Sequence, residues 1–298
     1  MSERLTIAIP YHSGPAYLER AIASVLAQTR APAAILVSDD GDRPDETARL
    51  IARFASPTLR HESATPGAGM VANWNRCLER AETALVTLLH ADDELLPGYC
   101  AQMADAAARH PSASALYCGA HIIDAAGAPR FSFPDWIKTW LEPAQKGPVT
   151  LSGARGLELV LRGNFVMCPT LCFRRAALGP RRFDPRWSQV QDLALVTRLF
   201  LDGDEIVGLR EVAYAYRRHA ASATHVQSES LLRFREEIAL YDELAREASA
   251  RGWQAAARTA RRKAIIRLHL CFQILRDLLR LRLPAIPPKL RLLVSSSP

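Results

Sequence analysis

The sequence predicts an α/β fold with a mainly parallel sheet flanked by helices, followed by a C-terminal helical extension. Three observations support this. Apolar runs alternate with helix-period segments over the first hundred residues, in the order β-α-β-α-β-α-β. Two of these runs end abruptly in clustered carboxylates. The segment 251–298 is strongly basic, which sets it apart from the rest of the chain.

The composition is that of an ordinary globular protein. The chain has 298 residues, of which 49% are hydrophobic and 23% are charged. No apolar run is long enough to predict a transmembrane helix, and the start of the chain does not resemble a signal peptide. The six cysteines form no CxxC pair, so reduced thiols are favoured over a zinc site. We therefore expect a cytoplasmic protein.

The first elements follow from apolar runs and their breakers. Pro10 ends the first strand, and Pro15 suits the first turn of a helix. A glycine turn at 65–69 precedes the third helix, but no GxGxxG or GxxxxGK[ST] pattern is present, which argues against classical dinucleotide and P-loop sites. The predicted strands are Leu5–Pro10, Ala33–Ser38, Leu59–Glu62 and the start of Leu85–Leu96. The predicted helices begin at Pro15, Glu46 and Met70.

The second half of the chain is less regular. Residues 124–150 are predicted to be a loop, and their aromatic content favours a lid over a disordered segment. Pro169 interrupts an apolar run and predicts an edge strand. The other predicted helices are Leu95–Ala108, Ser152–Arg162, Leu193–Leu201, Leu231–Ala248 and Arg258–Leu283. The other predicted strands are Ala115–Ala120, Phe165–Phe173, Ile206–Val212 and Ala213–Arg217.

The segment Leu85–Leu96, LVTLLHADDELL, carries the strongest functional signal. An apolar strand gives way to His90, Asp92, Asp93 and Glu94. In open α/β sheets, ligands bind at the carboxyl ends of the strands. Clustered carboxylates repel one another unless a cation lies between them. The pattern thus favours a divalent-metal site, and the alternative is an acidic first turn of a helix.

Four segments in this order resemble the family 2 glycosyltransferases with the GT-A fold. They are IAIPYH at 7–12, VSDDGD at 37–42, LLHADDELL at 88–96 and QDLALVTRL at 191–199. A fifth, YRRH with Ser and Thr following at 216–224, is similar to the YRxH segment of the family. The resemblance predicts a GT-A domain over 1–225 and a helical extension over 226–298.

The resemblance implies a nucleotide-sugar pocket built from five of these positions. Pro10 and Tyr11 would line the pocket, and Asp39 would accept the N–H of the base. Asp40 would support the turn. Taken alone, Asp39-Asp40-Gly41 is a good turn in any protein, and a plain turn is the alternative to a site. Asn75 resembles an Arg-Asn pair that precedes the metal-binding strand in the family. Trp74 replaces the arginine of that pair, which removes one contact to the donor.

The resemblance also implies the catalytic groups. Asp92 would bind Mn²⁺ or Mg²⁺, and His219 would bind the metal or the diphosphate. Asp192 would be the general base, although a carboxylate there could equally cap a helix. Arg217 and Arg218 would place positive charge beside the leaving diphosphate.

One departure from the family pattern concerns the metal site itself. His90 stands at the first acidic position of the DxD motif, where it could contact the ribose or coordinate the metal. It is also the reason to weigh a non-catalytic nucleotide-sugar-binding relative as the alternative function. Asn164, Cys168 and Thr170 are candidates for the acceptor cleft, where a plain edge strand is favoured instead.

The basic C-terminal segment suggests an anionic partner. Residues 251–298 hold nine arginines and two lysines against one acid, Asp277, so they carry +10 while the rest of the chain sums to −3. Arg258–Leu283 shows opposite polar and aliphatic faces. Through 258–294 it could lie on an anionic membrane or pack against protein, and these alternatives remain open. Nucleic acid is not expected, because no basic motif interleaved with aromatics is present.

These features together predict an inverting, metal-dependent enzyme. Its donor would be a nucleotide-diphospho-sugar. Its acceptor would be a glycan or lipid-linked glycan in cell-envelope polysaccharide assembly, such as lipopolysaccharide O-antigen, capsule or exopolysaccharide. A lipid-linked acceptor would place the protein at the inner face of the cytoplasmic membrane. A nucleic-acid-binding protein acting through the basic tail is the third function considered.

Overall fold

A computed structural model describes residues 3–219 and 231–295. One mixed sheet forms its centre, and helices cover both faces. The strands are β1 Leu5–Tyr11, β2 Ala34–Asp39, β3 Leu59–Ser63, β4 Leu85–Leu88, β5 Glu94–Leu95, β6 Ala113–Ile123, β7 Val149–Ser152, β8 Cys172–Arg174 and β9 Glu205–Arg217.

The helices alternate with the strands in the first half of the chain and then accumulate toward the C-terminus. They are α1 Pro15–Leu26, α2 Pro44–Ala52, α3 Met70–Arg80, α4 Tyr99–Arg109, α5 Phe133–Leu141, α6 Gly153–Gly163, α7 Arg175–Leu178, α8 Gln191–Leu201, α9 Leu232–Ala250, α10 Gln254–Arg262, α11 Ala264–Leu279 and α12 Ile286–Ser295. None of the described helices is long and apolar enough to cross a membrane.

The strand order confirms the predicted fold class. The order is β3-β2-β1-β4-β8-β6-β9-β5, with β7 paired to β9. Strands β3, β2, β1 and β4 are parallel, as the first hundred residues predict. Their side chains alternate between two apolar clusters, so that Ile7 and Ile9 enter one while Ala8 enters the other. The carboxyl ends of β1, β2 and β4 therefore meet at one edge.

The second half differs from the sequence prediction at three elements. The predicted edge strand Phe165–Phe173 is a 3₁₀ turn at Cys168–Thr170 followed by β8. That short strand lies between β4 and β6, so Pro169 marks its entry, not a sheet edge. The two predicted strands over 206–217 form one strand, β9, whose pairing with β6 shifts register. The predicted loop 124–150 contains α5 and the start of β7.

The C-terminal helices complete the larger apolar cluster. Tyr241 of α9 is buried, and its hydroxyl donates to the Leu161 carbonyl of α6 at 3.0 Å. The predicted helix 258–283 breaks at Lys263, which has a φ of 47° and whose ammonium pairs with Asp242 at 2.7 Å. The predicted boundary at 225/226 lies outside the described residues, so the division into two domains remains a prediction.

Candidate active site

The predicted pocket residues lie at the carboxyl edge of the parallel strands. Tyr11 ends β1 and is opposite Asp39, which ends β2. Pro10, one residue earlier, is half-buried opposite Ser38. Burial, and then the charge of Asp39, raises the pKa of the Tyr11 hydroxyl, so this phenol stays neutral.

Both carboxylates of the Asp-Asp-Gly turn hold the backbone. Asp39 is fully buried and accepts from the Gly41 N–H at 2.9 Å, while its other oxygen lies 3.2 Å from His61 Nε2. Asp40 accepts from the Gly69 N–H at 3.1 Å, which attaches the glycine turn to the ends of β1 and β2. A side chain at Gly41 would place its Cβ 2.3 Å from the His12 carbonyl, so the turn requires glycine.

The two asparagines of α3 support different parts of the edge. Asn73 is buried and donates to the Ser38 carbonyl at 3.0 Å and the Tyr11 carbonyl at 3.3 Å. Asn75 forms two 2.8 Å hydrogen bonds with the backbone of Phe183, one in each direction. The amide of Asn75 is thus engaged with a loop, and the nucleotide contact implied for it remains a prediction. The sequence analysis did not identify Asn73 as a supporting residue, although it lies two positions before Asn75 on the same helix.

The candidate metal centre follows β4. His90, Asp92 and Asp93 each offer a ligand atom, and these atoms lie within 4.8 Å of one another. His219 Nε2 is 2.9 Å from Asp92 Oδ2. The His90 ring stacks on Trp74 at 5.0 Å, which gives this tryptophan a positioning contact. The predicted ligands Asp92 and His219 are thereby brought together, and Asp93 joins them although the sequence analysis assigned it no role.

The electrostatics of this cluster fit a cation. Burial lowers the pKa of the His90 imidazole, with the charge of Asp92 opposing the shift, and leaves the ring in its neutral ligand form. Burial first, and then Asp92, raises the pKa of Asp93 well above its usual value. His90 Nε2 is buried and has no hydrogen-bond partner among the described residues. Two carboxylates with a neutral imidazole form a donor set that suits Mn²⁺ or Mg²⁺.

Arg217, which the resemblance places beside the leaving diphosphate, is buried among hydrogen-bond acceptors of the protein. Its side chain is fully buried, and its Nε donates to the Asp92 carbonyl at 2.6 Å. Its Nη1 donates to the carbonyls of Asp124 and Ala125 at 2.9 and 3.2 Å, and its Nη2 pairs with Glu94. The guanidinium therefore holds the backbone of the loop that carries Asp92, and the diphosphate contact implied for Arg217 remains a prediction.

Arg218 is also engaged within the protein. Its guanidinium makes two hydrogen bonds to Asp135 of α5, at 2.9 and 2.8 Å. Nε and Nη2 of Arg218 are thus engaged with α5 in this arrangement, and the diphosphate contact implied for this residue remains a prediction. Asp135 was missed because it lies in the segment predicted to be a loop. The Ser222 and Thr224 positions of the YRRH segment lie outside the described residues.

Asp192 lies in the first turn of α8 and is half-buried. The loop that leads into α8 is held by Glu236 of α9, whose carboxylate accepts from the Ser188 N–H at 3.0 Å and the Gln189 N–H at 2.7 Å. Burial, and then the charges of Asp192 and Asp93, raise the pKa of the Cys168 thiol well above its usual value. No pattern in the sequence indicated that Glu236 holds this loop.

The residues named for the acceptor cleft are mostly engaged in the turn before β8. Thr170 is buried, and its hydroxyl donates to the Met167 carbonyl at 2.8 Å. Asn164 follows the end of α6 and is half-buried. An edge strand is not present here, because β8 lies inside the sheet.

Comparison with known proteins gives one family. The model described as glycosyl transferase family 2 matches residues 6–154, which is half of the chain. An uncharacterized protein of Mycobacterium tuberculosis (strain CDC 1551 / Oshkosh), MT1568, is 36% identical over 94 residues, or 32% of this chain. The match covers only 29% of the length of that relative.

Solved structures of S. aureus TarS share the fold. The crystal structure of TarS 1–349 has a TM-score of 0.62 and 15% identity, covering 85% of this chain and 70% of that one. The complex of TarS 1–349 with UDP-GlcNAc has a TM-score of 0.66 and 16% identity, covering 99% and 82%. At these identities the likeness concerns the fold alone, and it confirms the predicted GT-A architecture.

Proposed function

The chain belongs to glycosyl transferase family 2, and from this premise we propose that it moves a sugar from a nucleotide-diphospho-sugar to an acceptor hydroxyl with inversion at the anomeric carbon. One observation carries the proposal: the His90, Asp92 and Asp93 cluster lies after β4, at the carboxyl edge of the parallel strands. The related TarS structure with UDP-GlcNAc supports a nucleotide-sugar donor.

The metal would be held by Asp92 and by His219, with His90 or Asp93 completing the set. A bound Mn²⁺ or Mg²⁺ would neutralise the leaving diphosphate. The support for this assignment is the chemistry of the donor atoms and the unpartnered His90 Nε2. Arg217 would act as a positioning residue, because its guanidinium holds the Asp92 carbonyl while β9 delivers His219.

Asp192 would accept the proton of the acceptor hydroxyl as that oxygen attacks the anomeric carbon. A hydroxyl is a weak nucleophile, and a positioned carboxylate supplies the general base that it needs. With one base opposite the leaving group, a single displacement inverts the anomeric centre. Glu236 supports this role by fixing the loop that precedes α8.

The acceptor proposed is a glycan or lipid-linked glycan of the cell envelope, in polysaccharide assembly. A catalytic domain at 1–225 would carry the chemistry, and the extension at 226–298 would bring it to the inner face of the cytoplasmic membrane. The support is the charge of the extension, +10 over residues 251–298. The second candidate, a non-catalytic nucleotide-sugar-binding relative, is favoured only by His90 in place of an acid.

A thermal-shift panel tests the proposed donor and metal sites. UDP, GDP, dTDP and CDP are added with and without Mn²⁺ to the wild type and to Asp92→Ala. A ligand at 100 times its Kd stabilises by about 2.7 kcal/mol, and a chain of this size gains roughly 2–4 °C per kcal/mol. We expect one nucleotide to raise the Tm by several degrees only with Mn²⁺, and Asp92→Ala to abolish the rise.

The control is Asp105→Ala, which removes an exposed carboxylate paired only with Arg30. It should keep the full shift. A metal-dependent shift that survives in Asp92→Ala would remove Asp92 from the site. The absence of any nucleotide-dependent shift in the wild type would contradict the proposed function.

A further inference from the structure

Helix α11 leaves a wide apolar side exposed to solvent. Its inward side buries Ile266 and Leu270 and then the polar side chains of Gln273 and Asp277, which are only 4% and 2% exposed. In an ordinary surface helix the apolar stripe faces the core. The leucines and the phenylalanine of the outward side are between 42% and 79% exposed: Leu268, Phe272, Leu275, Leu278 and Leu279.

Helix α5 and the residues before it extend this apolar surface. Phe133 lies 6.0 Å from Phe272 between ring centroids, which joins the two helices. The aromatic rings around α5 contact one another and stay exposed, by 44% to 74%: Phe131, Phe133, Trp136 and Trp140. We call this surface, the four aromatic residues around α5 together with the five outward residues between Leu268 and Leu279 of α11, the α5–α11 face. Exposed apolar surfaces of this kind mark interaction sites.

The charges beside the α5–α11 face are of one sign. Lys289 of α12 pairs with Asp277, the one acid of the segment 264–295, and both are buried. The same segment holds five arginines and no other acidic residue in its sequence: Arg267, Arg276, Arg280, Arg282 and Arg291. Arg280 and Arg291 are exposed and form no ion pair with any residue that the structure describes.

The charges beside the α5–α11 face distinguish between the possible binding partners. A second copy related by a two-fold axis would bring the same face, and therefore the exposed Arg280 and Arg291, against the same two arginines. Nucleic acid would match the arginines but would leave the leucines without an apolar partner. An anionic bilayer satisfies both, because leucines and aromatics enter the headgroup boundary while arginines meet lipid phosphates.

We propose that the α5–α11 face docks the protein on the surface of an anionic membrane. The proposal names the surface by which the protein would lie at the membrane. It rests on the proposed function, because a lipid-linked acceptor would be held in that membrane. The binding itself requires no sugar transfer, so vesicle binding and nucleotide binding are separate measurements.

The test is flotation of the full chain with two kinds of vesicle, phosphatidylcholine alone and an equal mixture with phosphatidylglycerol. We expect the protein to float with the anionic vesicles and largely to remain behind with the neutral ones. Cys271 is exposed on the same side of α11 and provides an independent probe. An environment-sensitive fluorophore on its thiol should shift to shorter wavelength when anionic vesicles are added.

Two sets of variants separate the apolar and charged contributions. The double variant Leu275→Ser, Leu279→Ser should lower the vesicle partition coefficient at least about tenfold. Arg280→Gln and Arg291→Gln should each lower it roughly fivefold, and only for anionic vesicles. The control is Leu26→Ser on α1, which removes a leucine that is 41% exposed but distant in the chain from the face, and it should bind as the wild type does.

Two results would overturn the proposal. One is a wild type that floats with neither vesicle. The other is concentration-dependent self-association, seen by light scattering, that the serine variants abolish, since it would assign the face to a second copy. In the serine variants the nucleotide-dependent thermal shift should persist, so that loss of vesicle binding is distinguished from failure of the donor site.

Discussion

The sheet edge around Asp92 and the α5–α11 face are both unusual in which side chains they bury, and they differ from the usual pattern in opposite ways. At the sheet edge, charged groups are inside: Asp93 is 1% exposed and Arg217 is fully buried. On the α5–α11 face, large apolar groups are outside, with Leu279 79% exposed. Charges are seldom buried without partners, and large apolar patches are seldom left uncovered. We propose a different partner for each region, a divalent cation at the sheet edge and a membrane surface at the α5–α11 face.

The two regions also differ in how far each side chain depends on its neighbours. Arg217 alone contacts four residues of the loops after β4 and β6. The exposed leucines of α11 have few such neighbours. Substitutions at the sheet edge should therefore disturb both chemistry and folding, whereas those on the face should affect association alone.

The largest expected effect is a loss of sugar-transfer rate in a variant of Asp192. Asp192→Asn keeps the shape of the side chain but removes the general base, so the rate of sugar transfer should fall by roughly 10²–10⁴-fold. The donor-dependent thermal shift should remain. The control, Asp202→Asn at the other end of α8, removes a carboxylate paired with Arg198 and should keep the rate. Equal rates for Asp192→Asn and the wild type would show that this residue is not the base.

The next effect concerns the stability of the sheet edge. Arg217→Met removes the cation that Glu94 and three carbonyls share, and breaking such a buried network costs about 3–5 kcal/mol. Urea denaturation measures the change in the free energy of unfolding. Arg155→Met, in an exposed pair with Glu158, serves as the reference and should cost about 1 kcal/mol or less. If both variants lose the same amount, the buried guanidinium is not the support inferred for it.

The smallest effect is expected on the α5–α11 face. Leu275→Ser should change the free energy of unfolding by no more than about 0.5 kcal/mol, because its side chain is 55% exposed. Leu270→Ser, in the same helix but fully buried, should cost about 3 kcal/mol or more. The same urea titration measures both. A large loss in Leu275→Ser would mean that the leucine is covered by the protein itself, and the contrast between the two regions would disappear.

Sequence reasoning succeeded where local pattern and topology coincide. The strands β1, β2 and β4 were predicted from short apolar runs, and parallel pairing then places Tyr11, Asp39 and Asp92 at one edge. The pairing of β6 with β9 could not be predicted, because it joins residues about ninety positions apart and shifts register on the way. That pairing is what carries His219 to Asp92.

Two further features required the structure. A charged residue such as Arg217 is normally placed at the surface by sequence reasoning, since burial depends on acceptors supplied by distant loops. The spacing of polar and aliphatic residues in α11 predicted two faces, but it did not show which face lies against the protein. The buried pair of Lys289 with Asp277 sets that direction, and it joins two helices separated by a proline-rich turn.

The ion pair between Arg218 and Asp135 has a geometric consequence. His219, which contacts Asp92, is the next residue after Arg218, and Asp135 belongs to the helix that carries Trp136 and Trp140. Two adjacent residues thereby fix how far the reaction centre stands from whatever surface those tryptophans rest on. Under the proposed docking on a membrane, this pair would set the height above the bilayer at which the hydroxyl of a lipid-linked acceptor has to lie.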